Sequence, residues 1–545
     1  MRSFKLLLAT TVLMVANVFA ITIYSNTSVP WTSITGYHTS DIIIEADAQL
    51  VITGCIIDFA PNAGIFIEDG GQLILNGTTL QLFDPLQNST DRWKGIEVED
   101  NLVGTSSMYG EIAVEANGSF IYDAKKGVYN RQITNGLTTG KGLMFNGCTF
   151  RDNDVSARLE YSSNNYSNGL DNNIIYYNCN FEGEVKYQPG WTGNLIFMNA
   201  NNIVVTESDF QSYFAGSSTN TASIWSNQNQ NLKVTNNYFH HKFRLSLTTD
   251  SYFRHLTVDD NVFEAQDYYP FSWNSFFSYK AITLMSPDSR AIPSLISIQD
   301  NEFTSQGSCP YNTLGVQFFV TAKDIKVIGN EFQNMDKGFL LTTPSAGNSN
   351  FEIRKNTFSN YSDYALKLDD NPFSGMEITC NVFNEGNRAI YIDGDGLHPS
   401  SNLFANYFNG ANIDIYYTST TTLIYNVIVG TTHIPTTITG FGAPNVYINP
   451  LTPSPFELKS CLEIRPAKLA EIKSAPQLLN NNGEITLVNL ANNTNITIVN
   501  ALGQVVGNLN TTNSEIQIET AQYNTGVYFV NLDNGETQTS LKFIK

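Results

Sequence analysis

Through the middle of the chain, apolar and polar positions recur in one eight-residue phrase, apolar-x-apolar-x-x-Asn-x-Phe. It reads Leu232-Lys-Val234-Thr-Asn-Asn237-Tyr-Phe239, then Ile296-Ser-Ile298-Gln-Asp-Asn301-Glu-Phe303, then Ile325-Lys-Val327-Ile-Gly-Asn330-Glu-Phe332. Phe150, Phe181, Phe210, Phe239, Phe263, Phe303, Phe332, Phe358, Phe383 and Phe408 close such phrases, at intervals of 31, 29, 29, 24, 40, 29, 26, 25 and 25 residues. The period-two opening of each phrase predicts a short strand with one buried face. Asn, two places before the Phe, suits a tight corner, because it tolerates the left-handed conformation and its side chain bonds local backbone. A second strand then points the Phe inward. A third alternating strand follows in several units, as in Gly338-Phe-Leu-Leu341, Ala365-Leu-Lys-Leu368 and Ala389-Ile-Tyr-Ile392. Three short strands per unit, stacked unit on unit, predict a coil whose rungs pair in parallel about 4.8 Å apart.

Stacking puts equivalent residues in register. The corner column reads Cys148, Cys179, Ser208, Asn237, Asn261, Asn301, Asn330, Asn356, Asn381, Asn406. An amide column of this kind can hydrogen-bond along the stack. Cys148 and Cys179 read as two buried ladder positions, with a strained inter-rung disulfide as the other reading. Upstream, Ala48-Gln-Leu-Val-Ile-Thr-Gly54 recurs 23 residues later as Gly71-Gln-Leu-Ile-Leu-Asn-Gly77, which extends the coil toward the N-terminus. The repeat resembles the right-handed parallel β-helix of the pectin-lyase-like superfamily over roughly residues 40–415. That resemblance speaks to fold more than to function, since the architecture hosts lyases, hydrolases, epimerases and non-catalytic adhesins.

Beyond about residue 430 the repeat stops, and Pro435, Pro444, Pro450, Pro453 and Pro455 punctuate an expected linker over 431–475. From Gly483 onward, Ile485-Thr-Leu487, Asn495-Ile-Thr-Ile-Val499, Glu515-Ile-Gln-Ile518 and Val527-Tyr-Phe-Val-Asn-Leu532 predict a small antiparallel sandwich. Three landmarks then resemble the type A sorting domain of the type IX secretion system of the Bacteroidetes group. They are Ile498-Val-Asn-Ala-Leu-Gly503-Gln-Val-Val506, Tyr523-Asn-Thr-Gly526-Val-Tyr528-Phe-Val, and the terminal Lys542-Phe-Ile-Lys545. The family's opening Pro-Asn-Pro is absent, and Pro476-Gln-Leu-Leu-Asn480 stands in its place. The resemblance implies the type IX machinery as a partner, and attachment to the outer surface or release; a generic carbohydrate-binding sandwich is the plainer reading. The fold class expected is all-β: a β-helix over 21–430, clearest over 140–410, and a sorting domain over 476–545.

Composition agrees with a solenoid. Only 15% of residues are charged against a usual quarter, and Asn, Ser and Thr fill the gap. A formal charge of -20 without a basic stripe excludes nucleic acid as a partner. Arg2 and Lys5 precede an apolar run over 6–15, and Val18-Phe-Ala20 suits cleavage, so residues 1–20 read as a signal peptide. No later run reaches the ~18 apolar residues of a membrane span. Cysteines at 55, 148, 179, 309, 380 and 461 are too few to organise so long a chain and match no zinc motif.

Enzymes of the resembled superfamily place reacting groups outward on neighbouring rungs. With Leu366, Leu368, Ile390 and Ile392 inward, Lys367 should neighbour Tyr391, and Asp369 should neighbour Asp393. Asp369, Asp393 and Asp395, with Asp370 near, could hold Ca²⁺. Lys367 could then act as the base of a β-elimination. Two carboxylates ~5 Å apart would alternatively suit a retaining glycosidase. His398 is the only histidine near this group. The plainer reading is turn chemistry, because Asp393-Gly-Asp395-Gly396 resembles a loop. Asp259-Asp260 falls at a corner, and His240-His241 reads as a surface turn. The 40-residue interval carries an aromatic cluster including Tyr269, Trp273, Phe276 and Tyr279, suited to stacking on sugars or to packing on itself. Together these readings predict an exported, non-catalytic protein binding glycans or a surface partner. The alternative is a polysaccharide lyase or glycoside hydrolase acting on an extracellular polysaccharide.

Overall fold

The structure is a computed structural model. It describes residues 21–83, 91–99, 112–131, 142–161, 172–186, 191–213, 221–241, 245–265, 278–286, 295–306, 312–320, 324–342, 350–369, 376–393, 402–418, 423–428, 438–440 and 446–451, apart from 26, 33, 34 and 405. Toward the C-terminus it describes 477–481, 484–488, 490, 494–500, 504–513, 515–518, 520, 523, 527–533 and 538–544. The expected signal peptide over 1–20 lies outside the described residues. Two compact units divide the chain, Met1–Cys461 and Leu462–Lys545.

Among the described residues of the first unit 39 strands form one sheet, and its pairings are parallel from rung to rung. The chain climbs through three stacks of strands, the architecture of a right-handed parallel β-helix. The first stack carries the apolar-x-apolar segments: Leu143, Ile174, Ile203, Leu232, Leu256, Ile296, Ile325, Phe351 and Met376 lie in one register and are all buried. The upstream recurrence joins this stack, with Gln49 opposite Gln72 and their side-chain amides bonded at 2.7 Å.

The second stack carries the phenylalanines. From Phe150 to Phe408 each ring lies on the next, with centroids 4.6–5.3 Å apart and planes within 14°. Each buried ring contributes about 1.5–3 kcal/mol of transfer free energy, so the column is a principal support of the coil.

Between these stacks stands the corner column. Asn237, Asn261, Asn301, Asn330, Asn356, Asn381 and Asn406 are all buried, and each amide from Asn237 to Asn381 donates to the Oδ1 of the next at 2.9–3.0 Å. The left-handed residue is the one before the ladder, not the ladder Asn as the sequence suggested. Asn236, Asp260, Asp300, Gly329, Lys355 and Cys380 have φ between 51° and 71°. The turn thereby aims the following Asn side chain inward, where it meets backbone groups of its own and adjacent rungs. Upstream the same corner is built as Gly54-Cys55, Gly77-Thr78, Gly118-Ser119 and Gly147-Cys148, each glycine with positive φ. Cys55, Cys148 and Cys179 are free, buried thiols, and Cys148 and Cys179 bond the Ala116 and Phe145 carbonyls at 3.3 and 3.5 Å. Cys380 is disulfide-bonded.

The third stack includes Trp93–Glu99, Thr192–Met198, Ser278–Ser286, Asn312–Val320 and Lys337–Thr342, and continues in the later parts of Thr357–Asp369 and Val382–Asp393. Parallel pairing persists past residue 430, where the linker was expected: Ile438–Gly440 lies on residues 415–417, and Leu423–Ile428 pairs with Val446–Leu451. The prolines there interrupt the phrase without ending strand pairing.

In the second unit Gln477–Asn481, Glu484–Val488 and Glu515–Ile518 form one antiparallel sheet. Thr494–Asn500, Val505–Thr511, Val527–Asp533 and Gln538–Ile544 form another. One core serves both, with Ile485, Leu487, Ile496, Ile498, Ile518, Tyr528 and Val530. Among the described residues no helix is long and apolar enough to cross a membrane.

Candidate functional site

The last rungs of the third stack bring charged and aromatic side chains onto one outward surface. Alternation dictates it: Leu366, Leu368, Ile390 and Ile392 are buried, which turns Lys367, Asp369, Tyr391 and Asp393 outward. Lys367 lies opposite Tyr391 and Asp369 opposite Asp393. The next rung adds Tyr416 beside Tyr391, and the rings meet edge to face at 5.1 Å.

The Lys367 ammonium stands between two carboxylates, 2.9 Å from Asp393 and 3.7 Å from Asp369, and 4.7 Å from the Tyr391 ring centroid. Burial alone would lower the lysine pKa, but the hydrogen bond to Asp393 and the charges of Asp369 and Asp393 outweigh it and raise it. Burial would likewise raise Asp393, yet the Lys367 ammonium, the Thr418 hydroxyl and the Tyr391 hydroxyl hold its carboxyl at about 2. The lysine therefore keeps its proton and the carboxylate stays ionised. The cation between Asp369 and Asp393 is the lysine itself.

Flanking this pair, Arg388 bonds Asp363 at 2.8 Å and lies over Tyr391 and Tyr416 at 5.0 and 5.1 Å. Lys337 is 3.8 Å from Asp363. Lys337, Tyr364 and Arg388 share one register. The sequence reading passed over Lys337, Asp363, Arg388, Tyr416 and Thr418. Extending the ladder alignment to the residues before each third strand would have found Lys337 and Arg388, which share a register through Tyr364.

The other expected site residues fall as follows. Asp370, Asp395 and His398 lie outside the described residues, as do Tyr269, Trp273 and Phe276. Tyr279 is 4% exposed and belongs to the inner core, with its hydroxyl 3.2 Å from Ser246 Oγ, so it offers no ring face to a ligand. It opens a strand of the third stack instead of closing a loop. His240 also sits on a strand, Tyr238–His241, not in a turn, and Asp209 and Glu264 from the adjoining rungs flank its ring at 3.1 and 3.9 Å. Asp260 takes the left-handed corner. Of the sorting landmarks, Tyr528 is buried and stacks on Tyr523 at 5.3 Å, Lys542 lies on the last strand opposite Phe529, and Gly503, Gly526 and Lys545 lie outside the described residues.

This is the architecture of an exported parallel β-helix protein with a C-terminal address. Residues 480–545 match the family described as secretion system C-terminal sorting domain, and residues 254–449 match the family described as periplasmic copper-binding protein (NosD). The sorting domain makes the chain a substrate of the secretion machinery, secreted or attached to the cell surface. No curated protein matches the chain. Among solved structures it is similar to the full-length tailspike protein 2 of Escherichia coli O157:H7 bacteriophage CAB120, with 11% identity and a TM-score of 0.16. The match covers 97% of this chain and 63% of that one, so this chain spans less than two thirds of the tailspike. A likeness at that score carries neither fold nor function.

The copper in the second description does not fit the described residues. Copper favours imidazole and thiol donors. Here the free thiols are buried in the corner column against backbone carbonyls, and no group of three His, Cys, Asp or Glu side chains is placed to share an ion among the described residues.

Proposed function

We propose that this exported β-helix protein binds neutral polysaccharide at the cell surface without cleaving it, through the strip formed by Tyr391, Tyr416, Arg388 and Lys367. The observation that carries the reading is the ion pair of Lys367 with Asp393. A β-eliminating base must be free to take a proton, and this lysine is held protonated. A glycosidase needs its two carboxyls free to face a sugar, one of them donating a proton, whereas here the Lys367 ammonium stands between them, 3.7 Å from Asp369 and 2.9 Å from Asp393. Charge points the same way. Lys337, Lys367 and Arg388 are each paired with Asp363, Asp369 or Asp393, so among the described residues the strip carries no surplus charge to draw an acidic polymer. What it offers is two outward rings edged by hydrogen-bonding groups, a surface suited to the apolar faces and hydroxyls of sugars.

Affinity electrophoresis through gels containing neutral or acidic polysaccharides tests this. Retardation by a neutral polymer that is lost in Tyr391→Ala supports it. Equal mobility in every gel, or retardation only by acidic polymers, overturns it.

A further inference from the structure

The sorting domain turns an apolar row toward solvent. In its four-stranded antiparallel sheet Val505 lies opposite Val499, Val499 opposite Phe529, and Phe529 opposite Lys542. Residues directly opposed across antiparallel strands share one face. Their neighbours along the strands, Ile498 and Val530, are buried in the core, so this row lies on the outer face. A register shift between Ile498 and Val499 shapes its end: Ile498 faces Gly507, Val499 faces Val505, and the additional residue, Val506, packs on the core. Val505 is thereby left 62% exposed; Phe529 is 37% exposed, and Val499 between them is half-buried.

Elsewhere the described positions of this face are polar. The next row holds Asn508, Thr497 and Asn531, and the one beyond it Asn510, Asn495 and Asp533. That is the pattern of a sheet face left to water, and the first row departs from it. Single exposed apolar side chains are ordinary, whereas a contiguous group on an otherwise polar face marks a surface that meets a partner.

The members of the row come from separate parts of the chain. Val499 and Val505 belong to the first sorting landmark, Phe529 to the second and Lys542 to the third. Core packing accounts for the inward members of the same landmarks, Ile498, Val506, Tyr528 and Val530. It does not account for the outward members, which the fold gathers side by side. Val505, Val499 and Phe529 bring no hydrogen-bonding side chain, so they suit an apolar protein surface and not a saccharide. The match of residues 480–545 to a secretion system sorting domain says which protein that surface has to meet.

We propose that the secretion machinery docks an apolar surface of its own on Val505, Val499 and Phe529 and reads the domain there. The proposal stands on the sorting match and not on the polysaccharide reading, so the two fail separately.

The test follows the full chain in cells that carry the secretion system, as the ratio of displayed or released protein to protein retained in the envelope. Removal of residues 476–545 gives the reference for complete retention. Val505→Thr combined with Phe529→Thr keeps good strand formers at both positions. It should cut the exported fraction about tenfold or more, the loss expected when an aromatic anchor leaves an interface. Phe529→Leu, which keeps the surface apolar, and Asn531→Ala, on the polar row, should both be exported as the parent is. Protease resistance of each full-length chain, purified from a host without the system, should be unchanged.

Export of the double variant at the parent's level overturns the proposal. So does an equal loss in Asn531→Ala, which would make the whole face and not the row the determinant. If the double variant is protease-sensitive, Val505→Thr alone decides, since that side chain is the most exposed of the three: reduced export of a protease-resistant chain supports the proposal, and normal export overturns it. Normal export of the double variant, together with a parent dimer that it fails to form, would assign the row to a second copy and overturn the proposal equally.

Discussion

Asn330 and Asn356 are joined twice: Asn356 Oδ1 accepts the side-chain amide of Asn330 at 2.9 Å and its backbone N–H at 3.0 Å. Asn356 in turn donates to the Val327 carbonyl at 2.8 Å and to Asn381 Oδ1 at 3.0 Å. Both lone pairs and both amide hydrogens of one side chain are thereby used in a dry corner. Asn356→Ala leaves the Asn330 backbone N–H, one Asn330 amide hydrogen and the Val327 carbonyl short of partners. At about 1–3 kcal/mol for each of these three unmet groups, a loss of roughly 3 kcal/mol or more is expected. Urea denaturation monitored by circular dichroism measures it, and an unchanged midpoint would contradict the ladder's role.

The acid limb of stability should carry the signature of Asp393. Its carboxyl is depressed from 3.8 to about 2, so the ion pair with Lys367 contributes fully above about 3.8 and is lost as pH falls toward 2. The side chain is 30% exposed, and solvent screening holds the contribution to about 1 kcal/mol or less. Asp393→Asn should lower the midpoint at neutral pH and converge with the parent near pH 2. Parallel curves across that window would show the pair to be inert.

Glu302 should behave with the opposite sign. It lies opposite Glu331 on the second stack, and burial first, then the Glu331 and Glu264 charges, raise its pKa above 4.5. Folding therefore favours its protonated form: the contribution is present below 4.5 and is lost as pH rises through the raised value. Glu302→Gln should stabilise the protein at pH 7 by less than about 1 kcal/mol, and the gain should vanish below pH 4.5. Destabilisation at pH 7 would refute the like-charge account.

Removal of residues 476–545 tests the address. The truncated chain should be retained inside the cell envelope while its β-helix still folds, as read by protease protection of fractionated cells. Normal surface display of the truncation would sever the sorting domain from export.

How much of this was legible follows from the physics of the repeat. Phe239 and Asn237 were legible because each position of a stacked column meets its own kind, so the same residue recurs rung after rung. The left-handed residue was misplaced by one because Asn236 and Asn237, or Asp260 and Asn261, are both residues that tolerate a corner, and sequence alone does not say which one turns. Lys367 and Asp393 were found together because Leu366, Leu368, Ile390 and Ile392 set the phase of their strands. Asp363 was not, since it falls inside the register shift between Tyr361 and Tyr364, where the ladder alignment is interrupted. Tyr279 looked like part of a loop because it ends an aromatic run, whereas its partner Ser246 is 33 residues away.

The most direct measurement is turnover. The exported protein is incubated with neutral and acidic polysaccharides, with and without calcium, and unsaturated products and new reducing ends are followed. The account predicts retention on a neutral polymer with neither product formed. Either product, formed by the parent chain and abolished in Lys367→Met or Asp393→Asn, would contradict it and make this strip a catalytic centre.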